Sequence, residues 1–192
     1  MITKWMKNYI AEHESQEGLP LNPQQKEFLE KKELLSPDMK VIDAPAFSPM
    51  YSLSNKETDE PLETPANTGN LAVSLVKTQP TSYLFAEDPS FATIGIDGVV
   101  LEMDDVFETV TALFGLQVQK KHGEWLKKYI DAQLGTAPGT RSLMFSADDG
   151  LWDVNIALDY VDGFSVSNTF DETLKLVYEF VFKMLVALEG EA

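Results

Sequence analysis

Five aspartates are the first residues in this chain that could do chemistry. Asp104 and Asp105 are adjacent, and Asp148, Asp149 and Asp153 follow within one short stretch. Oxygen ligands of this kind suit a hard cation such as calcium or magnesium. A calcium loop, however, alternates its ligands around a fixed glycine and closes on a glutamate, and no stretch here has that register. The same side chains have simpler duties: Asp104 or Asp105 caps a helix, Asp149 shapes a turn, and Asp153 faces solvent. The two histidines, His13 and His122, have no second ligand three or four positions away, so neither starts a zinc centre. His122 is expected to pack beside the apolar side of a helix. With no cysteine, disulfides, thiolate metal sites and cysteine nucleophiles are excluded.

Arg141 is the only arginine and follows Gly135-Thr136-Ala137-Pro138-Gly139-Thr140. A lone guanidinium beside such a loop could hold a carboxylate or phosphate. Phosphate loops open a helix and use its N-terminal amides, whereas this one leads from a helix into a strand and reads as a plain connection. The chain has no GxxxxGK[ST], GxGxxG or GxSxG element. Lys120, Lys121, Lys127 and Lys128 form a basic stripe on one helix. It is either a solvated face or a docking surface for an acidic region, that of a second copy included. No residue stands out as catalytic, cofactor-binding or metal-ligating, and no cofactor is expected.

The elements that must position these residues come from a chain of 192 residues with 31 acids, 15 bases and a net charge of −16. That length suits one domain or one domain with an appendage, and such a chain buries about 70% of its unfolded surface. The charge argues against nucleic acids and anionic membranes, whose phosphates it would repel. No apolar signal core follows Met1-Ile2-Thr3-Lys4-Trp5. The most apolar stretch, 177–188, is broken by Glu179 and Lys183 and falls short of the roughly 18–20 residues of a membrane span. A cytoplasmic protein is expected.

Ile2, Trp5, Met6, Tyr9 and Ile10 share one face of an amphipathic helix over 2–14. Asn22-Pro23 announces a second helix reaching toward Leu34 and Leu35. Residues 39–53 read as extended segments interrupted by Pro45 and Pro49. From 54 to 70 the only large apolar residue is Leu62, too little to offset ordering entropy. The expected organisation is therefore 1–53 as N-terminal helices and extended segments packed on the body, 54–70 as a mobile acidic loop, and 71–192 as the main domain.

Within the body, 71–76 and 82–85 read as strands. Residues 92–103 are one long strand or a hairpin folded at Asp97-Gly98, with Ile96 facing Val99 and Ile94 facing Leu101. A helix is expected from Asp104 or Asp105, burying Val106, Val110, Leu113 and Phe114 and stopping at Gly115. Another runs from Val118 to about Gly135. Residues 142–158 form a hairpin turning on Asp149-Gly150, which sets Phe145 opposite Val154 and Leu143 opposite Ile156. The last helix opens on a Thr169–Glu172 capping box and runs to Gly190. Residues 4–10 and 124–130 share four identities in seven, but their flanks diverge at once, so they read as two similar amphipathic helices. The order, roughly α-α-(β)-β-β-β-α-α-β-β-α, describes an α+β fold with helices packed on one face of an antiparallel sheet.

Leu101-Glu102-Met103-Asp104-Asp105-Val106-Phe107, then residues 116–121 and Asp149-Gly150-Leu151-Trp152-Asp153-Val154-Asn155, resemble a family of short acidic bacterial proteins. Some of its members carry a branched-chain amino acid aminotransferase label, which implies a pyridoxal-phosphate enzyme. That chemistry needs a Schiff-base lysine, a phosphate cradle, a partner for the pyridinium nitrogen and a group for the substrate carboxylate. The resemblance brings no functional residue with it. Separately, helix, three strands, helix, two strands, helix is similar in topology to type III secretion chaperones, which are small, acidic, often dimeric and bind other proteins. Together these readings point to a non-enzymatic protein-binding module, with a homodimer or a protein partner expected. The alternatives are a small enzyme, the aminotransferase included, or a small-ligand-binding domain between sheet and terminal helix.

Overall fold

The computed structural model describes residues 1–45 and 47–191. Helix α1 (Ile2–His13) buries Ile2 and Met6 completely and lays Trp5, Tyr9 and Ile10 against the core. Strand β1 (Leu19–Leu21) leads into α2 (Pro23–Lys31) and pairs in parallel with β2 (Val41–Asp43) in a small separate sheet. At the start of α2, Gln25 N donates to Asn22 Oδ1 at 2.9 Å and Asn22 N donates to Gln25 Oε1 at 3.0 Å, a reciprocal cap. The helix stops short of Leu34 and Leu35 because the backbone turns left-handed at Glu33, with φ +53°.

The rest of the chain builds one larger sheet and the helices that cover it. In chain order come β3 (Met50–Asn55), β4 (Pro61–Leu62), a short helix α3 (Leu75–Thr78), β5 (Ser82–Glu87), β6 (Val99–Met103), β7 (Val110–Leu116), α4 (Gly123–Leu134), β8 (Arg141–Ser146), β9 (Leu151–Ala157) and α5 (Phe170–Glu191). The seven strands pair antiparallel in the order β4-β3-β5-β6-β7-β9-β8. Strands β7 and β8 run in the same direction, joined through α4, and β9 inserts between them.

Burial alternates along the central strands, which identifies the covered face. Leu84, Ala86, Val99, Leu101, Val110, Ala112, Phe114, Leu116, Trp152, Val154 and Ile156 are all buried, and the strand pairings align them across the sheet. They share one core with Leu174, Val177, Val181, Met184 and Leu185 of α5. Helix α5 is buried on further sides as well. Phe182 meets Phe28 of α2 edge-on at 5.9 Å, and Phe180 meets Tyr129 of α4 at 6.3 Å. It begins on the expected capping box, with Thr169 N donating to Glu172 Oε2 at 2.8 Å and Glu172 N donating to Thr169 Oγ1 at 3.2 Å.

Four local expectations are corrected. Residues 71–76 are no sheet strand: Ala72 makes a single bridge to Thr169. Their backbone instead straps the entry to α5, with Val73 N donating to Asn168 O and Phe170 N to Leu71 O. Residues 92–103 are neither one strand nor a hairpin, because Pro89–Ile94 coil into a 3-10 turn that ends at Gly95 in the left-handed region (φ +66°). The helix expected over 104–114 is a tight turn followed by β7. Asp104 Oδ1 accepts from Val106 N at 2.8 Å and Phe107 N at 2.9 Å, and Val106 is 81% exposed instead of buried. Val110 and Phe114 are four apart, a spacing that places residues on one face of a helix and equally on one face of a strand. Finally, the β8–β9 connection spans four residues, so Phe145 faces Trp152 and Leu143 faces Val154. That register lies two residues from the expected one, and an even displacement leaves every side chain on its face.

Residues 54–70 hold the end of β3, all of β4, and a 3-10 turn at Thr68–Asn70. Nearby, Tyr51 of β3 donates to Asp171 Oδ1 at 2.5 Å, tying the sheet to the first turn of α5.

Candidate functional site

The aspartates do not assemble. Asp104 and Asp105 stand at the β6–β7 turn, whereas Asp148 and Asp149 stand in the β8–β9 connection at the opposite end of the strands. Asp149 Oδ2 accepts from Ser146 Oγ at 2.7 Å, and Asp153 is exposed. Among the described residues no group of three or more His, Cys, Asp or Glu side chains is placed to hold a metal ion. His13 is exposed and stacks on Tyr9 with ring centroids 4.1 Å apart. His122 sits in the turn before α4; desolvation and the neighbouring Lys121 lower its pKa.

Arg141 Nε donates to Asp131 Oδ1 at 2.6 Å, and Nη2 lies 2.5 Å from the same oxygen. The 135–140 loop is the helix-to-strand connection expected, closed by Thr140 Oγ1 donating to Ala137 O at 2.9 Å. Lys120, Lys121, Lys127 and Lys128 are exposed, and Lys120 Nζ lies 5.4 Å from the Phe145 ring centroid.

What the fold does bring together is the second face of the main sheet. Strand pairing aligns Ser52, Phe85, Val100, Leu113, Asn155 and Ser142 in one row across six strands. The three central members, Phe85, Val100 and Leu113, are apolar and only half-buried. The Phe85 ring lies over Gly98, where an added Cβ would come within 2.6 Å of the ring. Ser52, Lys56, Tyr83, Phe85, Val100 and Glu102 line a shallow groove of about 630 Å³ on this face. Met50 (71%) on β3 and Met144 (65%) on β8 are exposed at the margins of the same face.

Lys56 is the polar centre of the groove. Its Nζ donates to Met103 O and lies 3.7 Å from Glu102 Oε2. Burial pushes the Glu102 carboxyl above its ordinary value; Asp105 and Asp104 add to the rise, and Lys56 opposes it. Sequence reasoning missed this surface because it assigned β7 to a helix. The alternation of Val110, Ala112, Phe114 and Leu116 with Thr111, Leu113 and Gly115 was the signal that could have found it.

The one guanidinium is engaged by Asp131 and the sheltered Lys56 by Glu102, on different parts of the sheet. Where β3 and β5 meet α3 and the 63–68 segment, next to Leu53, Leu84 and Phe170, the structure leaves a cavity of about 80 Å³. Among the described residues no helix is long and apolar enough to cross a membrane.

The class defined is an α+β protein with an antiparallel sheet helix-covered on one face and apolar at the centre of the other. No protein-family model, curated protein or solved structure matches the chain.

Proposed function

We propose that this protein is a non-enzymatic protein-binding module that engages another chain, a second copy included, through the open face of its main sheet. The observation that carries the reading is the half-buried trio Phe85, Val100 and Leu113 on three adjacent strands. An antiparallel sheet with one solvated face alternates apolar-in with polar-out, and these three positions break the rule together, which supports a contact there. The acidic composition adds support.

The test is sedimentation velocity over a wide concentration range, together with co-purification from extract, on the full chain and on Val100→Glu. The expected outcome is a self-associating species or a stoichiometric partner that Val100→Glu releases while the thermal melt is retained. A chain that stays monomeric at every concentration and retains no partner would overturn the reading.

A further inference from the structure

The two edges of the main sheet are built differently. On one side β3 is capped by β4, whose Pro61 has no N–H to offer. Glu57, Asp59, Glu60 and Glu63 surround it, the usual protection of a sheet edge. On the other side β8 pairs only with β9. Its six residues contain no proline, and the pairing runs through without a bulge.

Which β8 groups are free follows from the ladder. Ala157 N donates to Thr140 O at 2.9 Å, which makes Arg141–Ile156 a non-hydrogen-bonded pair. By alternation Leu143–Val154 and Phe145–Trp152 are too. The backbone N–H and C=O of Arg141, Leu143 and Phe145 therefore point away from β9, along an open edge.

Helix α4 runs antiparallel beside that edge. Asp131 near its end pairs with Arg141 at the start of β8, and Lys120 just before it lies over Phe145 at the other end of the strand. Lys127, one turn before Asp131, falls on the same side of the helix. Among the described residues neither Lys120 nor Lys127 pairs with a carboxylate, although acids outnumber bases two to one. On the opposite side of the strand Met144 is 65% exposed.

We propose that β8 takes up an extended segment of a partner protein as an added strand. That segment alternates acidic side chains, directed toward Lys120 and Lys127, with apolar ones directed toward Met144. Main-chain bonds supply the affinity and the alternating side chains the selectivity, as in other cases of strand addition. Charge decides against the obvious rival. Two copies joined antiparallel through β8 would set the same lysines of both on one face of the extended sheet, where they repel. The inference rests on the protein-binding reading but uses an edge, not the open face.

The test uses the isotopically labelled full chain and two blocked nonapeptides, one alternating glutamate with valine and the other lysine with valine. The glutamate peptide should shift the amide signals of Arg141, Leu143 and Phe145 and protect them from exchange. Its affinity should fall about tenfold as salt rises from about 50 mM to about 500 mM, because the lysines are exposed and screened. The variant carrying Lys120→Glu and Lys127→Glu, which leaves the strand intact, should lose about tenfold or more at low salt. Leu143→Pro removes one outward N–H at an edge position that tolerates proline and should abolish the shifts while the melt shows a folded chain. Equal or tighter binding of the lysine peptide overturns the proposal. So does concentration-dependent protection of the same amides with no peptide present, which makes the occupant a second copy. Shifts confined to Phe85, Val100 and Leu113, lost in Val100→Glu but kept in Leu143→Pro, overturn the edge site while leaving the protein-binding reading intact.

Discussion

Replacing Tyr178 by phenylalanine tests how α2, the 89–94 turn and α5 are held together. The Tyr178 hydroxyl is buried between Gln25 Nε2 at 3.1 Å and Thr93 Oγ1 at 2.8 Å. Thr93 Oγ1 already donates its proton to Ser90 O at 2.7 Å, so Tyr178 must donate to Thr93 and accept from Gln25. Gln25 and Thr93 are 2% and 6% exposed, which leaves water little access to either. Tyr178→Phe therefore strands a buried amide N–H and a hydroxyl lone pair. Leaving such groups unmade costs about 1–3 kcal/mol, so a loss of about 2 kcal/mol is expected. For a chain of this size that is about 4–8 °C in Tm. Urea unfolding should show a lower midpoint with an unchanged slope. Thr93→Val breaks the same bond from the other side. The double variant should then cost less than the sum of the singles, a coupling of about 1 kcal/mol. A Tyr178→Phe protein within about 0.5 kcal/mol of the parent, a range typical of surface substitutions, or strictly additive singles, would refute the proton assignment and the claim that the network is closed.

Two further perturbations separate backbone strain from contact and charge from burial. Gly95 and Gly150 both sit in the left-handed region, at φ +66° and +71°, but a Cβ at Gly95 would lie 2.4 Å from the Trp5 ring whereas Gly150 has open space. Gly150→Ala should cost about 1 kcal/mol from conformation alone. Gly95→Ala should cost at least about 1 kcal/mol more because the ring must move; equal losses in denaturant titrations would contradict the Trp5 contact. The Glu102 pKa is raised in the folded chain, chiefly by burial, so the folded state holds that proton more tightly than the unfolded one. Its contribution is full below the unfolded value and is lost as pH rises through the folded one. Glu102→Gln should therefore melt at or above the parent temperature at neutral pH, with the gap closing as pH falls below the ordinary glutamate value. A variant that melts lower at neutral pH than at acid pH, relative to the parent, would show that the Lys56 pair outweighs burial.

How much of this was legible in the sequence depends on which residues carried a local signal. Asn22-Pro23 and Thr169 with Glu172 marked two helix starts because a cap is a contact between near neighbours. Helices α1, α4 and α5 showed through their period. Strand β7 did not, because Val110 and Phe114 satisfy both periods and Asp104 before them looks like a helix cap while in fact closing a turn. The β8–β9 register missed by two because Asp149-Gly150 suits a two-residue turn, and apolar patterning cannot separate registers of equal parity. The open face was hidden for a related reason. Phe85, Val100 and Leu113 lie far apart in the chain, and only strand pairing makes them neighbours.

On the proposed reading, that adjacency also bounds what the open face would bind. Along its row the apolar trio is flanked by Ser52 on one side and by Asn155 and Ser142 on the other, so the apolar surface spans three strands and then gives way to polar groups. A stable interface covers ~800 Å² on each partner, more than three half-buried side chains expose. A partner that binds firmly must reach past them, over Tyr83 and the Lys56–Glu102 pair to one side and onto Met50 or Met144 at the margins. Exposed ion pairs contribute little to affinity, but this one is sheltered, with Lys56 and Glu102 side chains 16% and 25% exposed. Covering it removes the remaining water, so the partner must satisfy the carboxylate. On the proposed reading the binding energy sits on the trio and the selectivity on the rim. Substitutions at Val100 should weaken every ligand of this face, whereas substitutions at Lys56 should change which ligands it accepts.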